Sequence, residues 1–284
     1  MVRHGRGRAP YYIDVWPIGL ATHAEGAMHR VTSRLAACAA FLLLAEVGLA
    51  SDLDKEKRWA EQVVDALLDG EAIELDDGRH PFLAIETESA EPSTRAAVIM
   101  HGTGVHPNWP TVVLPLRVGL AEAGWHTLSI QMPVLANEAE HAAYATIYDW
   151  VPGRIDAAVG HLRQAGFETV VLVAHSQGST MAVYYLAGEH APVEGLVAVG
   201  MSGGIPGGPM DTLAQLPGVG LPVLDLYGSE DLPEVLASAA QRARQGGLTG
   251  AAYSQVVVGG ADHFFDGEEA ELLDTVRQWL QDSY

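Results

Sequence analysis

The chain has 284 residues, 48% of them hydrophobic, and its 36 acidic and 16 basic residues give a formal net charge of −20. This hydrophobic content excludes a disordered chain, and the length suits one large α/β domain or two small ones. The acidic excess excludes nucleic-acid binding and argues against docking on anionic lipid headgroups, because both depend on clustered Lys and Arg.

The first fifty residues contain the pattern of an export signal. Residues 28–34 form a short basic segment, residues 35–44 are apolar and uncharged, and Gly48 and Ala50 give the small-x-small pattern of a cleavage site. This order is typical of a signal peptide, while the apolar run is too short for a transmembrane helix. We therefore predict a signal peptide over 28–50, a periplasmic or secreted protein and no stable membrane span after cleavage. An ordinary buried helix is the alternative interpretation of the apolar run.

The signal peptide sets the expected domain boundaries. Met28 opens the basic stretch and is the expected translation start, so residues 1–27 are interpreted as an upstream or disordered segment. Residues 52–284 contain no internal repeat, no low-complexity tract and no Pro/Gly/Ser-rich linker, which indicates one domain. The single cysteine, Cys38, lies in the signal peptide, so the exported domain would use neither disulfides nor thiol chemistry.

Strand and helix patterns alternate through this domain. A charged helix is predicted over 54–69, and strand patterns at 71–76 and 82–88 flank the turn Asp77-Gly78, which predicts an antiparallel hairpin. Apolar strands then alternate with helices, which predicts parallel βαβ units covered by helices on both faces. The predicted strands are 96–100, 126–131, 169–174, 195–201, 223–227 and 253–258, and the predicted helices are 112–123, 155–164, 177–186, 233–245 and 267–282.

The central strand of this pattern ends in a serine motif. The apolar run 169–174 leads into His175-Ser176-Gln177-Gly178, and a helix pattern begins at once. A serine at the apex of a sharp strand–turn–helix is a nucleophile elbow, whose usual pattern is Gly-x-Ser-x-Gly. Ala174 stands in place of the first glycine, a mild departure because the position needs only a small side chain. The motif predicts Ser176 as a nucleophile.

Two later strand ends offer the acid and the base that a serine nucleophile requires. A serine hydroxyl is weakly nucleophilic at neutral pH and needs a base that is itself oriented by an acid. Asp231 lies just beyond the strand at 223–227, and His263 lies just beyond the strand at 253–258. We therefore predict a Ser176–His263–Asp231 triad. The rival candidates for the acid are Glu230 and Asp225.

The strand at 96–100 ends in His101-Gly102-Thr103-Gly104, a loop suited to an oxyanion hole. Acyl transfer passes through a tetrahedral oxyanion that pre-aimed backbone N–H groups stabilise, and glycines permit close backbone approach. We expect the two donors to be the backbone N–H groups of Gln177 and Thr103. His101 is expected to be structural, packing and hydrogen-bonding under the loop.

The predicted site is an open, shallow cleft without a metal or a cofactor. The connection after the strand at 195–201 is too short for a large helical cap, so we expect the cleft to be edged by 203–220 and 134–150. The sequence offers no Cys cluster and no convincing pair of His ligands. An apolar acyl wall could come from three aromatic residues, with ordinary packing as the alternative: Trp109, Phe264 and Phe265.

These motifs in combination resemble the α/β-hydrolase-fold superfamily over about 70–284, and within it a bacterial family of exported α/β hydrolases of unknown function. The segments that carry the narrower resemblance are HGTGVHPNWP (101–110), PLRVGLAEAGWHTLSIQMP (115–133) and VLVAHSQGS (171–179). The resemblance implies an α/β-hydrolase fold with a mostly parallel central sheet, an N-terminal antiparallel hairpin and a minimal cap. It also implies Ser176 as nucleophile, Asp231 as acid and His263 as base, and it brings no settled substrate.

The leading functional hypothesis is a serine hydrolase that acts on a carboxylic ester, thioester or amide through an acyl-enzyme. Its partner would be a small-molecule, lipid or polymer ester, and acyl transfer to an acceptor other than water would use the same residues. The alternative is a non-catalytic envelope or binding protein on a hydrolase scaffold. A competent residue at every triad position argues against that alternative, and the sequence does not indicate an oligomeric state.

Overall fold

The computed structural model describes residues 51–189 and 191–284, whose strands form an eight-stranded sheet. The strands are β1 (Glu71–Asp76), β2 (Pro81–Thr87), β3 (Arg95–Met100), β4 (His126–Ile130), β5 (Thr169–His175), β6 (Gly195–Val199), β7 (Val223–Gly228) and β8 (Tyr253–Val258). The α-helices are α1 (Leu53–Asp65), α2 (Val113–Glu122), α3 (Val151–Gln164), α4 (Gln177–Leu186), α5 (Thr212–Gln215), α6 (Pro233–Gly246) and α7 (Glu269–Ser283), and 3₁₀ helices cover His141–Trp150 and Leu216–Gly218.

Two of the sequence predictions fall on residues that this structure does not cover. The signal peptide predicted at 28–50 and the segment 1–27 before it lie outside the described residues. Within the described part of the chain, the helices all fall short of the length and apolar content that a bilayer crossing requires.

The sheet has the strand order β1-β2-β4-β3-β5-β6-β7-β8. β1 pairs antiparallel with β2, and β2 with β4, whereas the pairings from β4-β3 to β7-β8 are all parallel. The predicted N-terminal hairpin and mostly parallel sheet are therefore confirmed. The hairpin turn is held by Asp77, whose carboxylate accepts hydrogen bonds from the backbone N–H groups of Arg79 and His80, both at 2.8 Å.

Helices cover both faces of the sheet, as predicted. Successive residues of a strand point to opposite faces, so Val98 and Met100 of β3 join the apolar layer that includes α3 and α4 residues. Ala97 and Ile99 of the same strand join the layer that includes α2 and α7 residues. A strand that is buried on both faces must be apolar throughout, which explains the continuous run in β5.

Two predicted helices differ from the structure by more than two residues at one end. The helix predicted over 54–69 ends at Asp65, and Leu68 beyond it is 93% exposed, so no apolar contact holds a further turn in place. The helix predicted over 155–164 begins earlier, at Val151, because the preceding 3₁₀ helix runs directly into it. Neither difference moves a predicted site residue.

A buried ion-pair cluster ties α1 and the hairpin to α3. The fully buried Arg154 pairs through Nη1 with Glu56 Oε2 at 2.8 Å and through Nε with Asp77 Oδ2 at 3.1 Å. Its Nη1 also donates a hydrogen bond to the backbone carbonyl of Gln131, directly after β4, at 2.9 Å. Buried charges are stable only when they are paired and hydrogen-bonded. This cluster therefore fixes three elements relative to the carboxyl end of β4.

Candidate active site

Ser176 lies in the sharp turn between β5 and α4. Its backbone has φ 56° and ψ −122°, a strained conformation, and its N–H donates to the Val199 carbonyl at 2.8 Å. Two glycines make room for the turn, since a Cβ on Gly102 would lie 2.8 Å from Ser176 Cβ and one on Gly178 would lie 2.6 Å from the His101 carbonyl oxygen. The structure thus places Ser176 in the strand–turn–helix geometry of a nucleophile elbow.

The loops after β7 and β8 bring Asp231 and His263 to Ser176. His263 Nε2 lies 2.8 Å from Ser176 Oγ, and His263 Nδ1 lies 2.6 Å from Asp231 Oδ1. A carboxylate can only accept, so Nδ1 carries the proton and Nε2 accepts from the serine hydroxyl. Asp231 and His263 are 4% and 7% exposed, so solvent competes little for either hydrogen bond. These are the three residues that the sequence predicted as a triad.

The environment of Asp231 keeps its carboxyl group ionised. Burial by itself would raise the pKa of Asp231, but the hydrogen bond and charge of His263, together with two backbone hydrogen bonds, leave the pKa below its ordinary value. The donors of these two bonds are the backbone N–H groups of Leu232 (2.7 Å) and Gly228 (3.3 Å). An ionised Asp231 can therefore hold the His263 ring in one orientation and one tautomer.

The two rival acids do not occupy the position of Asp231. Asp225 is fully buried and pairs with Arg242, whose Nε lies 2.9 Å from Asp225 Oδ2. Its carboxylate also accepts from the hydroxyl of Tyr253 at 2.6 Å and is thus fully engaged inside the fold. Glu230 is exposed to solvent.

Close backbone packing aligns the acid and base loops. Gly228 lies so near the His263 loop that a Cβ on it would meet the Ala261 carbonyl oxygen at 2.1 Å. The N–H of Glu230 donates to the same carbonyl at 2.9 Å. Gly200 directly follows β6, which ends two residues before the predicted end of this strand at 201, and has φ 61°. It lies against the His263 ring, since a Cβ there would be 3.0 Å from His263 Cε1. Gly228 and Gly200 thus leave the space that the His263 loop and ring occupy, and a larger residue at either position would displace them.

Two further histidines, His101 and His175, are buried next to the site and are neutral. Burial lowers the pKa of His101 to about 3 and that of His175 to about 4, the latter also through the nearby charge of His263. His101 Nδ1 donates to the Gly102 carbonyl at 2.8 Å, and its Nε2 accepts from the Met132 N–H at 2.9 Å. His175 Nε2 donates to the His263 carbonyl at 2.9 Å. The expected structural place of His101 under the loop agrees with these contacts.

Thr103 and Gln177, the predicted oxyanion-hole donors, both line the cavity that contains Ser176 and His263. The cavity has a volume of about 270 Å³. Gln177 is the first residue of α4, so its backbone N–H has no partner within the helix. Among the described residues, neither its N–H nor that of Thr103 takes part in a backbone hydrogen bond. Both donors are therefore available to a ligand.

The sequence did not indicate the hydrogen-bond network around the Gln177 side chain. Gln177 Oε1 lies 2.6 Å from His141 Nε2, and Gln177 Nε2 donates to the Tyr148 hydroxyl at 2.5 Å. Tyr148 and Thr180 are hydrogen-bonded through their hydroxyl groups at 2.7 Å. His141 and Tyr148 belong to the 3₁₀ helix and carry no motif. The only signal was the position of this helix inside the segment 134–150, expected to edge the cleft.

The predicted aromatic acyl wall is not what lines the cavity. Phe265 is fully buried in the apolar layer with α2 and α7, and Trp109 packs against the same layer. Phe264 is partly exposed and contacts the rings of His175 and His263 at centroid distances of 5.6 and 5.3 Å. The alternative of ordinary packing therefore holds for Phe265 and Trp109. The described residues also contain no group of three or more His, Cys, Asp or Glu arranged to hold a metal ion.

The sheet order, the elbow after β5 and the loops after β7 and β8 define an α/β-hydrolase-fold protein. Solved structures with this fold support that class. Est1E from Butyrivibrio proteoclasticus is 15% identical, with a TM-score of 0.60 over 76% of this chain and 99% of that chain. An α/β serine hydrolase homologue from Coxiella burnetii is 18% identical, with a TM-score of 0.58 over 75% and 99% of the two chains. The predicted fold is therefore confirmed.

The chain belongs to the family described as "Protein of unknown function (DUF3530)", whose sequence model matches residues 45–149 and 136–282. A dienelactone hydrolase from Anabaena variabilis is a further structural neighbour, 20% identical, with a TM-score of 0.56 over 76% of this chain and 98% of that one. A search of curated proteins found no match. The predicted membership of an α/β-hydrolase family of unknown function is thus confirmed.

Proposed function

We propose that this protein is a serine hydrolase that cleaves a carboxylic ester through an acyl-enzyme. The observation that carries the proposal is the continuous hydrogen-bonded line from Ser176 Oγ through the His263 ring to Asp231, with distances of 2.8 and 2.6 Å. Serine, histidine and aspartate in this relation form a catalytic triad, in which the histidine activates the serine and the aspartate orients the histidine. All three lie at the carboxyl edge of the sheet, where ligands bind in open α/β folds.

Each side chain of the triad has its own role in the proposed reaction. Ser176 Oγ attacks the acyl carbon while its proton passes to His263 Nε2, and Asp231 stabilises the resulting imidazolium. The bond to the alcohol oxygen then breaks as His263 gives that proton to the departing alcohol. Water, deprotonated by the same nitrogen, attacks the acyl-enzyme and releases the carboxylic acid, which restores the serine hydroxyl.

The oxyanion of each tetrahedral intermediate would be stabilised by the N–H groups of Gln177 and Thr103. The N–H of Gln177 also lies at the N-terminus of α4, where the helix dipole favours negative charge. Loss of one such donor typically costs about 10²–10³ in rate. The neutral His101 beneath the loop fixes the backbone that carries Thr103, because it bonds to the Gly102 carbonyl.

The structural neighbours agree with this reaction type. Est1E has been solved with ferulic acid bound, and that structure is 15% identical to this chain with a TM-score of 0.61. A second neighbour carries the description dienelactone hydrolase, and a third that of an esterase domain from a Rhodothermus marinus protein. At these identities the neighbours share the fold with this chain, and the proposal therefore depends on the residues of its own site.

A fluorophosphonate probe that labels activated serines tests the proposal directly. We label the full-length protein with the probe and assay it on p-nitrophenyl butyrate, together with the variants Ser176→Ala and His263→Ala. The control is Ser283→Ala, which changes an exposed serine at the end of α7. We expect wild type and the control to label and to hydrolyse the ester, and both site variants to lose labelling and activity. Full activity of Ser176→Ala, or no labelling of well-folded wild type, would overturn the proposal.

A further inference from the structure

The hydrogen-bond network around Gln177 fixes the proton on the His141 ring. The Thr180 hydroxyl donates to the backbone carbonyl of Gln177 at 2.9 Å, so its oxygen must accept from the Tyr148 hydroxyl. Tyr148 must then accept from the Gln177 side-chain amide, which leaves Gln177 Oε1 facing His141. A carbonyl oxygen only accepts, so His141 carries its proton on Nε2. The Nδ1 atom of His141 remains as a hydrogen-bonding group.

This free nitrogen belongs to a side chain that lines the candidate active site. His141 is exposed, and it borders the same cavity of about 270 Å³ as Ser176 and His263. The structure gives its Nδ1 no hydrogen-bond partner among the described residues. With the proton on Nε2, the Nδ1 atom of His141 is an acceptor, and a substrate hydroxyl group can donate a hydrogen bond to it.

The cavity is small, and its walls carry several hydrogen-bonding side chains. A volume of about 270 Å³ lies just below the range of about 300–1,000 Å³ that is usual for sites of drug-sized ligands, so the cavity suits a small acyl group. A larger apolar cavity of about 570 Å³ lies between α1 and the β1–β2 hairpin, but it shares no lining residue with the site. The polar side chains that line the site cavity besides Ser176 and His263 are Thr103, His141, Gln177, Thr180, Ser202 and Glu234.

The chemistry of the triad assigns His141 to the acyl side of the substrate. His263 must protonate the departing alcohol, so the alcohol lies on the His263 side of Ser176. The acyl oxygen must point to the N–H of Gln177, and the carbons next to it then lie along the wall that Gln177 and His141 form. An anionic acyl substituent would meet Glu234 in the same cavity, whereas a neutral hydroxyl would not be repelled.

We propose that His141 is a specificity-determining residue, and that it selects short acyl groups that carry a hydroxyl group. This inference rests on the proposed function and names its substrate class: esters of small hydroxylated carboxylic acids. His141 Nδ1 accepts one hydrogen bond from the acyl hydroxyl, while its Nε2 holds the Gln177 side chain. An alkyl chain can contact Leu232 and Val235 in the cavity wall, but it leaves the Nδ1 atom of His141 without this partner.

Two esters that differ by one oxygen atom test the proposal on the full-length protein. We expect kcat/KM for p-nitrophenyl 3-hydroxybutyrate to exceed that for p-nitrophenyl butyrate by about fivefold, the net effect of one hydrogen bond. His141→Phe keeps a ring of similar size and should bring the ratio to about one. His141→Asn, which retains a donor and an acceptor, should keep part of the preference. Thr146→Val, an exposed change in the same 3₁₀ helix, should leave the ratio unchanged.

The outcomes separate this inference from the proposed function. A ratio of one or less in wild type, or an unchanged ratio in His141→Phe, would overturn the role of His141. If fluorophosphonate labels Ser176 but neither ester is hydrolysed, the nucleophile stands and the substrate class is wrong. If the well-folded wild type is not labelled, the proposed function fails, and the substrate class fails with it.

Discussion

His175 donates a hydrogen bond from Nε2 to the backbone carbonyl of His263, and the two rings lie 4.9 Å apart. The residue before Ser176 thus holds the loop that carries His263, although 88 positions separate the two histidines. His175 also contacts the ring of Phe264, so it is enclosed by the elbow on one side and by the base loop on the other. We regard His175 as a positioning residue for His263.

Replacing His175 by Phe should lower kcat about tenfold and leave KM nearly unchanged. The ring keeps its approximate volume, but the loss of one hydrogen bond, a net effect of about 1 kcal/mol, lets the His263 loop move away from Ser176. Steady-state kinetics on p-nitrophenyl butyrate measure the change, and the rate of fluorophosphonate labelling should fall in parallel. If His175→Phe only destabilised the fold, and each folded molecule were labelled at the wild-type rate, His175 would have a merely structural role.

The buried histidines make the protein less stable in acid. The pKa of His175 is about 4 in the folded state against an ordinary value of 6.5, so between these values the unfolded chain binds a proton that the folded chain does not. Stability therefore falls as the pH drops from 6.5 towards 4, by up to about 3 kcal/mol for this group. Urea denaturation at several pH values should show a shallower acid loss in His175→Phe than in wild type. An identical pH dependence would contradict this account.

Asp231→Asn should reduce kcat by about 10³–10⁴ while the fold is kept. An amide at this position can donate to His263 Nδ1 and so favour the wrong tautomer, which leaves no acceptor for the Ser176 proton. The matched control is Glu230→Gln, one residue away and exposed, which should retain wild-type activity. If Glu230→Gln were the more damaging change, the assignment of the acid to Asp231 would be wrong.

Gly102→Ala should block the elbow by steric overlap. Its new methyl group would lie 2.8 Å from Ser176 Cβ, closer than two carbon atoms can approach, so the turn or the oxyanion loop must shift. We expect at least a tenfold loss of kcat/KM. In the control, Gly160→Ala on α3, the methyl group meets open space and should add about 0.5–1 kcal/mol of stability without changing activity. Retained activity in Gly102→Ala would exclude the close approach.

Arg154→Met should destabilise the fold by about 3–5 kcal/mol, because it leaves the buried Glu56 and Asp77 without a compensating charge. The control is Arg277→Met, which removes an exposed ion pair with Asp274 and should cost at most about 1 kcal/mol. Urea midpoints of the two variants measure the difference. Similar midpoints would mean that the buried cluster contributes little to holding α1 in place.

Much of the fold and the three site residues could be predicted from local patterns. An apolar run such as β5 must be a buried strand, and a small-residue turn before a helix places Ser176 at its apex. Asp231 and His263 followed from their positions after strands, because the carboxyl ends of parallel strands meet at one edge. Their mutual distances depend on glycines such as Gly228 and Gly200, whose role only the packed structure reveals.

The network on the acyl side could not be predicted, because its contacts are long-range and its residues carry no signature. His141 and Gln177 are 36 positions apart, and Tyr148 and Thr180 are 32 apart. The 3₁₀ helix that carries His141 has neither the residue period of a strand nor that of an α-helix, so the sequence pattern does not identify which residues face inward. The aromatic wall is suggested only by three aromatic residues close in sequence to the predicted site loops, and the structure buries one of them, Phe265, in the core instead.

The order in which the strands appear along the chain has a consequence for synthesis. β8, which precedes His263, is the last strand and lies at the edge of the sheet with β7 as its neighbour. An emerging chain can complete β3, β5 and the turn at Ser176 long before the base exists. In the proposed hydrolase, Ser176 therefore has no base on the nascent polypeptide until the C-terminal segment with β8 and His263 packs against β7.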